Sequence, residues 1–332
     1  MEKGELFYLL NPGHRVYGAT KMVAEMVARK LGLQFHRDRP HPDHKCIGNK
    51  RRQMQYAFVP FKKKNVYFML SPMVSLNAAE VLLRKIPAVM VEEYNPNNNN
   101  KDKIVKSYLA AYMQYPFICL NKRSHRFLEQ NGINTFLVPP AQKKKQEGEK
   151  REIILFVGRF IKSKNPFLFL KIAEASPNEK FAMIGKWGGE LEGEVRQRAA
   201  ELGNVECMTN VSAEKVISYY KKAKILVHTA KDDPVGVVIP EALSFSIPVV
   251  ASAGTGASDY LPTEWVVDGF NENNWISKVQ EVLRLGEESI AKAKEAFENE
   301  HLDITDPYFK ETSEDLAQYI AGKWFNSEIG KE

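Results

Sequence analysis

Cysteine is scarce in this sequence of 332 residues, and long apolar runs are missing. The three cysteines, Cys46, Cys119 and Cys207, are far apart and form neither a metal-ligand pair nor a disulfide framework, so a reducing compartment is expected. The first apolar run, Leu6–Leu10, is too short for a signal peptide or a membrane span. We therefore expect a cytoplasmic protein in which this run is a buried strand.

Three further features are missing, and each excludes a class of protein. No Asp-x-Asp motif occurs and no His and Cys residues have metal-ligand spacing, so no metal cofactor is expected. No repeat of about 20–50 residues marks a solenoid. No recognisable reader motif points to nucleic acid as a partner.

The net charge of +6 is unevenly distributed along the chain. Residues 1–150 contain 26 Lys and Arg against 12 Asp and Glu, whereas the remainder is acidic overall. A basic half attracts anions, so an anionic membrane surface or lipid phosphate is an expected partner, with peripheral attachment to a membrane. A merely solvated surface is the alternative.

Short apolar runs alternate with amphipathic helical patterns in both halves of the chain, and hydrophobic residues make up 44% of it. This alternation predicts an α/β fold with two doubly wound, Rossmann-like units facing each other across a cleft. The predicted first unit covers 1–140, a polar linker 141–151, and the second unit 152–305. A C-terminal helix at about 306–328 could pack back on the first unit.

Individual elements can be predicted in both units. First-unit strands are predicted at Leu6–Leu10, Val66–Leu70, Ala88–Val91, Phe117–Leu120 and Thr135–Val138. Second-unit strands are predicted near 152–157, 180–184, 204–207, 224–228 and 248–251, and helices near 165–174, 190–202, 212–221 and 237–245.

The first informative motif begins with the apolar run Ile153–Val157. Gly158 allows a tight turn after this strand, and Arg159 and Lys164 bracket the loop that follows. Pro166 suits the first turn of a helix. Two cations beside a helix N-terminus form an anion site, although two exposed surface cations would give the same pattern.

The second motif contains two carboxylates, Asp233 and Glu241, placed after the apolar strand Ala223–Thr229. An ionised carboxylate accepts two hydrogen bonds at once, and vicinal sugar hydroxyls offer two donors. Beside an anion site, the pair suits a ligand with sugar, phosphate and sugar in series. Alternatively, Asp233 caps the helix and Glu241 complements its dipole.

Together with the run Pro248–Ala251, these motifs resemble the family 4 retaining glycosyltransferases. That family has a Glu, seven residues, and a second Glu followed by Ala; here Asp233 replaces the first Glu and Glu241 is the second. The resemblance implies the GT-B fold. It also implies metal-independent, retaining transfer of a hexose from a nucleotide-diphosphate sugar to an acceptor.

The resemblance also implies a role for each matching residue. Arg159 and Lys164 would neutralise the donor diphosphate, Asp233 would hold hydroxyls of the transferred sugar, and Glu241 would bind the ribose. These four form the implied catalytic set. Further donor-binding positions are implied at Gly13, Gly18, Gly158, Gly185, Lys186, Met208, Val211, Gly236, Thr255 and Gly256.

One departure from the family concerns the acceptor side. The family often carries a histidine after a strand of its first unit, where this chain has Ser71-Pro72 or Glu92-Glu93. His14, Glu92 and Glu93 are therefore the acceptor-side candidates. The acceptor itself, a glycan, a lipid-linked molecule or a protein, stays open. A non-catalytic nucleotide-sugar-binding protein, an inverting transferase, a phosphorylase and an epimerase also stay open.

Overall fold

The computed structural model describes residues 4–9, 18–37, 64–71, 87–92, 113–146, 148, 150–185 and 189–325. The chain divides into two compact units. The first comprises residues 1–140 together with 305–332, and the second comprises residues 141–304. Each unit is built on a parallel sheet with helices, which confirms the predicted fold class.

The first unit contains a six-stranded sheet in the described residues, in the order β2-β1-β3-β4-β5-β6. All neighbouring strands in it are parallel. Its strands and first helices are β1 (Glu5–Leu9), α1 (Gly18–Lys30), β2 (Gln34–Arg37), β3 (Val66–Ser71), β4 (Ala88–Glu92), β5 (Phe117–Cys119), α2 (Lys122–Gln130) and β6 (Thr135–Leu137).

The second unit contains another six-stranded parallel sheet, in the order β12-β11-β10-β7-β8-β9. Its strands are β7 (Ile153–Val157), β8 (Lys180–Gly185), β9 (Val205–Thr209), β10 (Ala223–His228), β11 (Val249–Ser252) and β12 (Val266–Val267). Its helices are α3 (Pro166–Glu174), α4 (Glu192–Leu202), α5 (Ala213–Lys222), α6 (Val238–Leu243), α7 (Glu272–Leu285) and α8 (Glu287–Asn299).

The C-terminal helix, α9 (Tyr308–Trp324), returns to the first unit and packs against α1. It buries an apolar face that includes Phe309, Leu316 and Ile320. The hydroxyl of Tyr308 also donates a hydrogen bond of 2.7 Å to the backbone oxygen of Leu137. Burial of this face explains why α9 belongs to the first unit.

Apolar strands form the centre of the second unit. Four of the five residues of β7 are buried, as expected for a parallel strand covered on both faces. The ring of Phe169 on α3 lies 5.5 Å from the rings of both Phe156 and Phe181, measured between centroids. This packing fixes α3, and with it the loop between β7 and α3.

The strand order of the second sheet reverses between β7 and β10. From β7 the chain proceeds to β8 and β9 on one side, and β10 leads to β11 and β12 on the other. In open α/β sheets, ligands bind at the carboxyl ends of the strands where the strand order reverses. This switch point carries both motifs found in the sequence.

The predicted strands agree with the observed ones to within about two residues, but some elements were not predicted. No predicted element corresponds to the edge strands β2 and β12 or to the helices α7 and α8. The helix predicted near 237–245 is shorter, because it ends at Leu243 before the left-handed residue Ser246. The described residues include no helix long and apolar enough to cross a membrane.

The described residues of the segment 141–151, which was predicted as a linker, belong to the second unit. The backbone of Gln142 pairs with that of Asp303 in a parallel bridge. The guanidinium of Arg151 donates hydrogen bonds to the backbone oxygens of Phe245 and Ser246 at 3.1 and 2.9 Å. These contacts hold the start of β7 against the remainder of its unit.

Candidate functional site

The loop after β7 makes a compact turn before α3. Phe160 is fully buried and anchors it, and residues Lys162–Lys164 form one turn of 3-10 helix. Asn165 then adopts a left-handed conformation with a φ of 51°, which asparagine tolerates better than most residues. Pro166 begins α3, as its fixed φ favours. The turn therefore holds Lys164 at the carboxyl edge of the sheet.

Hydrogen bonds tie this loop to the loop after β10. The backbone N–H of Lys231 donates to the oxygen of Ser163 at 2.7 Å. The hydroxyl of Thr229, which is fully buried, reaches the backbone oxygens of Lys164 and Asn165 at 3.1 and 2.9 Å. The backbone position of Lys164 is thus set by the residue that follows β10, which is 65 residues away in sequence.

Lys164, His228 and Asp233 form a cluster at the switch point. Nζ of Lys164 lies 2.5 Å from Oδ2 of Asp233, and Nε2 of His228 lies 3.0 Å from the same oxygen. The other oxygen, Oδ1, accepts the backbone N–H of Gly236 at 3.2 Å. The side chains of His228, Lys164 and Asp233 are only 3%, 14% and 17% exposed, so water screens their charges little.

The pKa of Asp233 is lowered well below that of an ordinary carboxyl group. Burial alone would raise the pKa, but the hydrogen bond from His228 and the positive charge of Lys164 outweigh it. Asp233 is therefore ionised at neutral pH, and its contact with Lys164 is an ion pair. It does not cap α6, since the N-cap position is Val237.

A third loop, after β11, closes on the cluster. The N–H of Asp233 donates to the oxygen of Gly254 at 3.3 Å, and the N–H of Gly256 donates to the oxygen of Asp233 at 2.8 Å. Gly236 has a φ of +69°, and a Cβ there would lie 2.3 Å from Cγ2 of Thr255. The predicted positions Gly236, Thr255 and Gly256 are therefore in direct contact with Asp233 or with each other.

Glu241 lies on α6 and is held by a buried tyrosine. The hydroxyl of Tyr220 donates a hydrogen bond of 2.9 Å to Oε2 of Glu241. The Tyr220 ring stacks on Phe245, with 5.4 Å between centroids and an angle of 9° between planes. Burial and the nearby Glu241 charge raise the pKa of Tyr220 well above its usual value, so the phenol stays protonated.

Arg159 lies two residues beyond the end of β7 and is exposed. Its guanidinium makes no hydrogen bond or ion pair with any residue that the structure describes. The four residues of the implied catalytic set therefore do not share one cluster of contacts. Lys164 contacts Asp233, Glu241 contacts Tyr220, and Arg159 extends from the edge of the sheet.

The remaining donor-side positions lie at the ends of the neighbouring strands. Gly185 ends β8, and a Cβ there would lie 2.7 Å from the ring of Phe160. Met208 lies on β9 and Val211 follows it, both partly buried against the core. Gly158 follows β7 and donates its N–H to the oxygen of Ile184 at 3.0 Å.

The first-unit positions are described only in part. Gly18 is the first residue of α1, and Glu92 is the last residue of β4, with its side chain outside the described part. Gly13, His14, Glu93 and Lys186 lie outside the described residues.

Sequence reasoning missed two residues of the site, His228 and Tyr220. A polar residue ending an apolar strand was a usable signal for His228, because carboxyl ends of parallel strands meet at ligand sites. Tyr220 lies at an apolar position of α5 and had no such signal.

Residues 138–299, slightly less than half of the chain, match the family model described as Glycosyl transferases group 1. The match covers most of the second unit, residues 141–304. The matched range contains both motifs and the whole switch point.

Two curated relatives match parts of the chain. The GalNAc-alpha-(1->4)-GalNAc-alpha-(1->3)-diNAcBac-PP-undecaprenol alpha-1,4-N-acetyl-D-galactosaminyltransferase of Campylobacter jejuni is 32% identical over 118 residues, or 34% of this chain and 32% of the relative. The D-inositol 3-phosphate glycosyltransferase of Corynebacterium jeikeium is 28% identical over 142 residues, or 38% and 34%. The chain thus spans about a third of the length of each of these two relatives.

Solved structures resemble the chain over nearly its full length. Sucrose-phosphate synthase from Thermosynechococcus elongatus has a TM-score of 0.67 at 14% identity, covering 97% of both chains. Anabaena HepE, solved with UDP and glucose, has a TM-score of 0.68 at 11% identity, covering 96% of this chain and all of HepE. At these identities the likeness shows the fold, which is GT-B, as the sequence predicted.

Proposed function

We propose that this protein is a glycosyltransferase that moves a hexose from a nucleotide-diphosphate sugar to an acceptor. The observation that carries the proposal is the switch point of a group 1 domain, where Arg159 and Lys164 follow one strand and Asp233 follows its neighbour. Hydrogen bonds between the two loops hold Lys164 beside Asp233 before a ligand binds. The donor diphosphate would lie against the cations.

The chemistry of the leaving group explains why cations are needed there. As the glycosidic bond breaks, negative charge grows on the nucleoside diphosphate, and fixed positive groups stabilise that charge. Arg159 and Lys164 would be these positive groups, while Glu241 would accept hydrogen bonds from the ribose. We propose transfer without a metal ion. In the described residues, no group of three or more His, Cys, Asp and Glu could hold one.

Replacement of either cation by alanine tests the proposal. We expect Arg159→Ala and Lys164→Ala each to lower turnover by about 10²–10³-fold, the loss typical when one group that stabilises a developing anion is removed. Lys162→Ala is the matched control, because Lys162 is an exposed cation on the same turn. Transfer rates would be measured alongside melting temperatures. If both variants kept the wild-type rate, the assignment would be wrong.

The nucleotide can be identified without knowing the acceptor. A ligand that binds only the folded state raises the melting temperature, so UDP, GDP and ADP would each be added to the purified protein. The diphosphate giving the largest shift selects the sugar donors for transfer assays. We propose retention of the anomeric configuration, as the family resemblance implies. Nuclear magnetic resonance of the product would reveal the anomer, and an inverted product would refute retention.

We propose a lipid-linked acceptor at an anionic membrane surface. The support is the basic first half of the chain and the Campylobacter jejuni relative, which acts on a saccharide carried by PP-undecaprenol. Sedimentation with vesicles of phosphatidylglycerol and phosphatidylcholine should show salt-sensitive binding to the anionic vesicles. Equal recovery with pure phosphatidylcholine vesicles would contradict the membrane contact.

A non-catalytic nucleotide-sugar-binding protein is the second candidate. It is favoured by Asp233, which replaces the usual Glu and already accepts hydrogen bonds on both of its oxygens. Nucleoside diphosphate binding without transfer or donor hydrolysis, across a panel of acceptors, would support it.

A further inference from the structure

A buried histidine ends the strand that leads to the candidate donor site. His228 is the last residue of β10 and lies at the switch point. Among the described residues, the imidazole of His228 makes a single hydrogen bond, which is to Oδ2 of Asp233. An unpartnered polar ring would be costly to bury, so this contact determines how the imidazole is oriented.

The carboxylate of Asp233 is held from three directions. Lys164 and His228 approach Oδ2, and the N–H of Gly236 approaches Oδ1. An ionised carboxylate offers about four acceptor positions, so three are occupied here. Little capacity remains for sugar hydroxyls. The arrangement suits a group that fixes the lysine rather than one that binds substrate.

Lys164 needs such a group because its side chain is long and flexible. An ammonium on a four-carbon stem has many rotamers, and ordering it as a ligand arrives costs entropy. A counter-charge that is itself fixed removes most of this freedom in advance. A lone ion pair would let both side chains rotate together, whereas the hydrogen bond from His228 restrains the carboxylate.

We propose that His228 is a positioning residue of the donor site. By holding Asp233 it places the ammonium of Lys164 at the switch point before a nucleoside diphosphate binds. This inference rests on the proposed function, since it assigns Lys164 to the diphosphate. His228 does not touch the donor; it acts through Asp233.

Three substitutions separate positioning from packing. His228→Gln can place an N–H near the position of Nε2, His228→Asn is polar but too short to reach Asp233, and His228→Leu is apolar. Calorimetry would measure the affinity of each variant for UDP, GDP and ADP. We expect His228→Asn and His228→Leu to bind about tenfold more weakly than wild type, as for one lost hydrogen bond to a charged group. His228→Gln should stay within about threefold.

A double-mutant cycle shows whether the effect passes through Asp233. In an Asp233→Ala background, His228→Leu should weaken binding no further, because alanine leaves no side-chain oxygen for the imidazole to contact. Melting temperatures establish that the variants are folded. If His228→Leu does not fold, comparison of His228→Gln with His228→Asn is sufficient to test positioning.

Two outcomes overturn the inference, and a third removes its foundation. Wild-type affinity in His228→Asn would contradict positioning while leaving the transferase proposal intact. The same holds if His228→Leu causes the same loss of affinity with and without Asp233→Ala. Failure of the wild-type protein to bind any of the three diphosphates would refute the proposed function, and this inference with it.

Discussion

Removal of the Tyr220 hydroxyl should weaken donor binding while leaving the fold almost unchanged. The hydroxyl donates to Glu241 at 2.9 Å, whereas the ring is buried and stacks on Phe245. Tyr220→Phe keeps the ring and its stacking and deletes only the donor. Glu241 would then lose one of the contacts that orient its carboxylate, and the carboxylate would be held less firmly for the proposed contact with the ribose.

The size of the effect follows from the type of hydrogen bond. A hydrogen bond to a charged group contributes about 1.5–3 kcal/mol. Glu241 is partly exposed, so water can replace the lost donor, and we expect the lower end of this range. A loss of about 1.4 kcal/mol corresponds to tenfold weaker binding of the nucleoside diphosphate.

A neighbouring tyrosine provides the control. Tyr219 lies on the same helix and is also buried, and burial together with a hydrogen bond to Glu206 raises its pKa to about 12. Tyr219→Phe makes the same chemical change away from Glu241. Calorimetry with the best-binding diphosphate should show a loss for Tyr220→Phe alone. Equal affinities for the two variants would refute the reasoning.

Two further predictions concern stability. Gly236→Ala should destabilise the protein by about 1–3 kcal/mol for the left-handed backbone alone, and further through its clash with Thr255. Gly203→Ala, with a φ of +71° and open space, should cost less, and equal losses in urea unfolding would contradict the clash. The pKa of Asp233 is lower in the folded state, so its contribution to stability is complete above its unfolded value of about 3.9 and is lost as the pH falls toward the folded value. Asp233→Asn should flatten the acid dependence of the unfolding free energy in that window, and an unchanged slope would argue against the depressed pKa.

The pattern of apolar residues alone was sufficient to predict the architecture. Runs such as Ile153–Val157 favour buried strands, and their alternation with amphipathic helical patterns favours parallel sheets covered on both faces, so the two doubly wound units could be predicted from local sequence. The cations after β7 and the carboxylates after β10 were identified for the same reason, because polar residues that follow buried strands lie at a sheet edge.

The tertiary structure alone decided which strands are neighbours and which side chains meet. The edge strands Gln34–Arg37 and Val266–Val267 are strands because each hydrogen-bonds to one neighbour, which no local pattern records. Likewise, Lys164 could have been a free surface cation until the fold brought it to Asp233 and His228. Sequence determines the local conformational preferences and burial of each segment, but hydrogen bonds and charges between distant loops depend on distances that exist only once the sheet has formed.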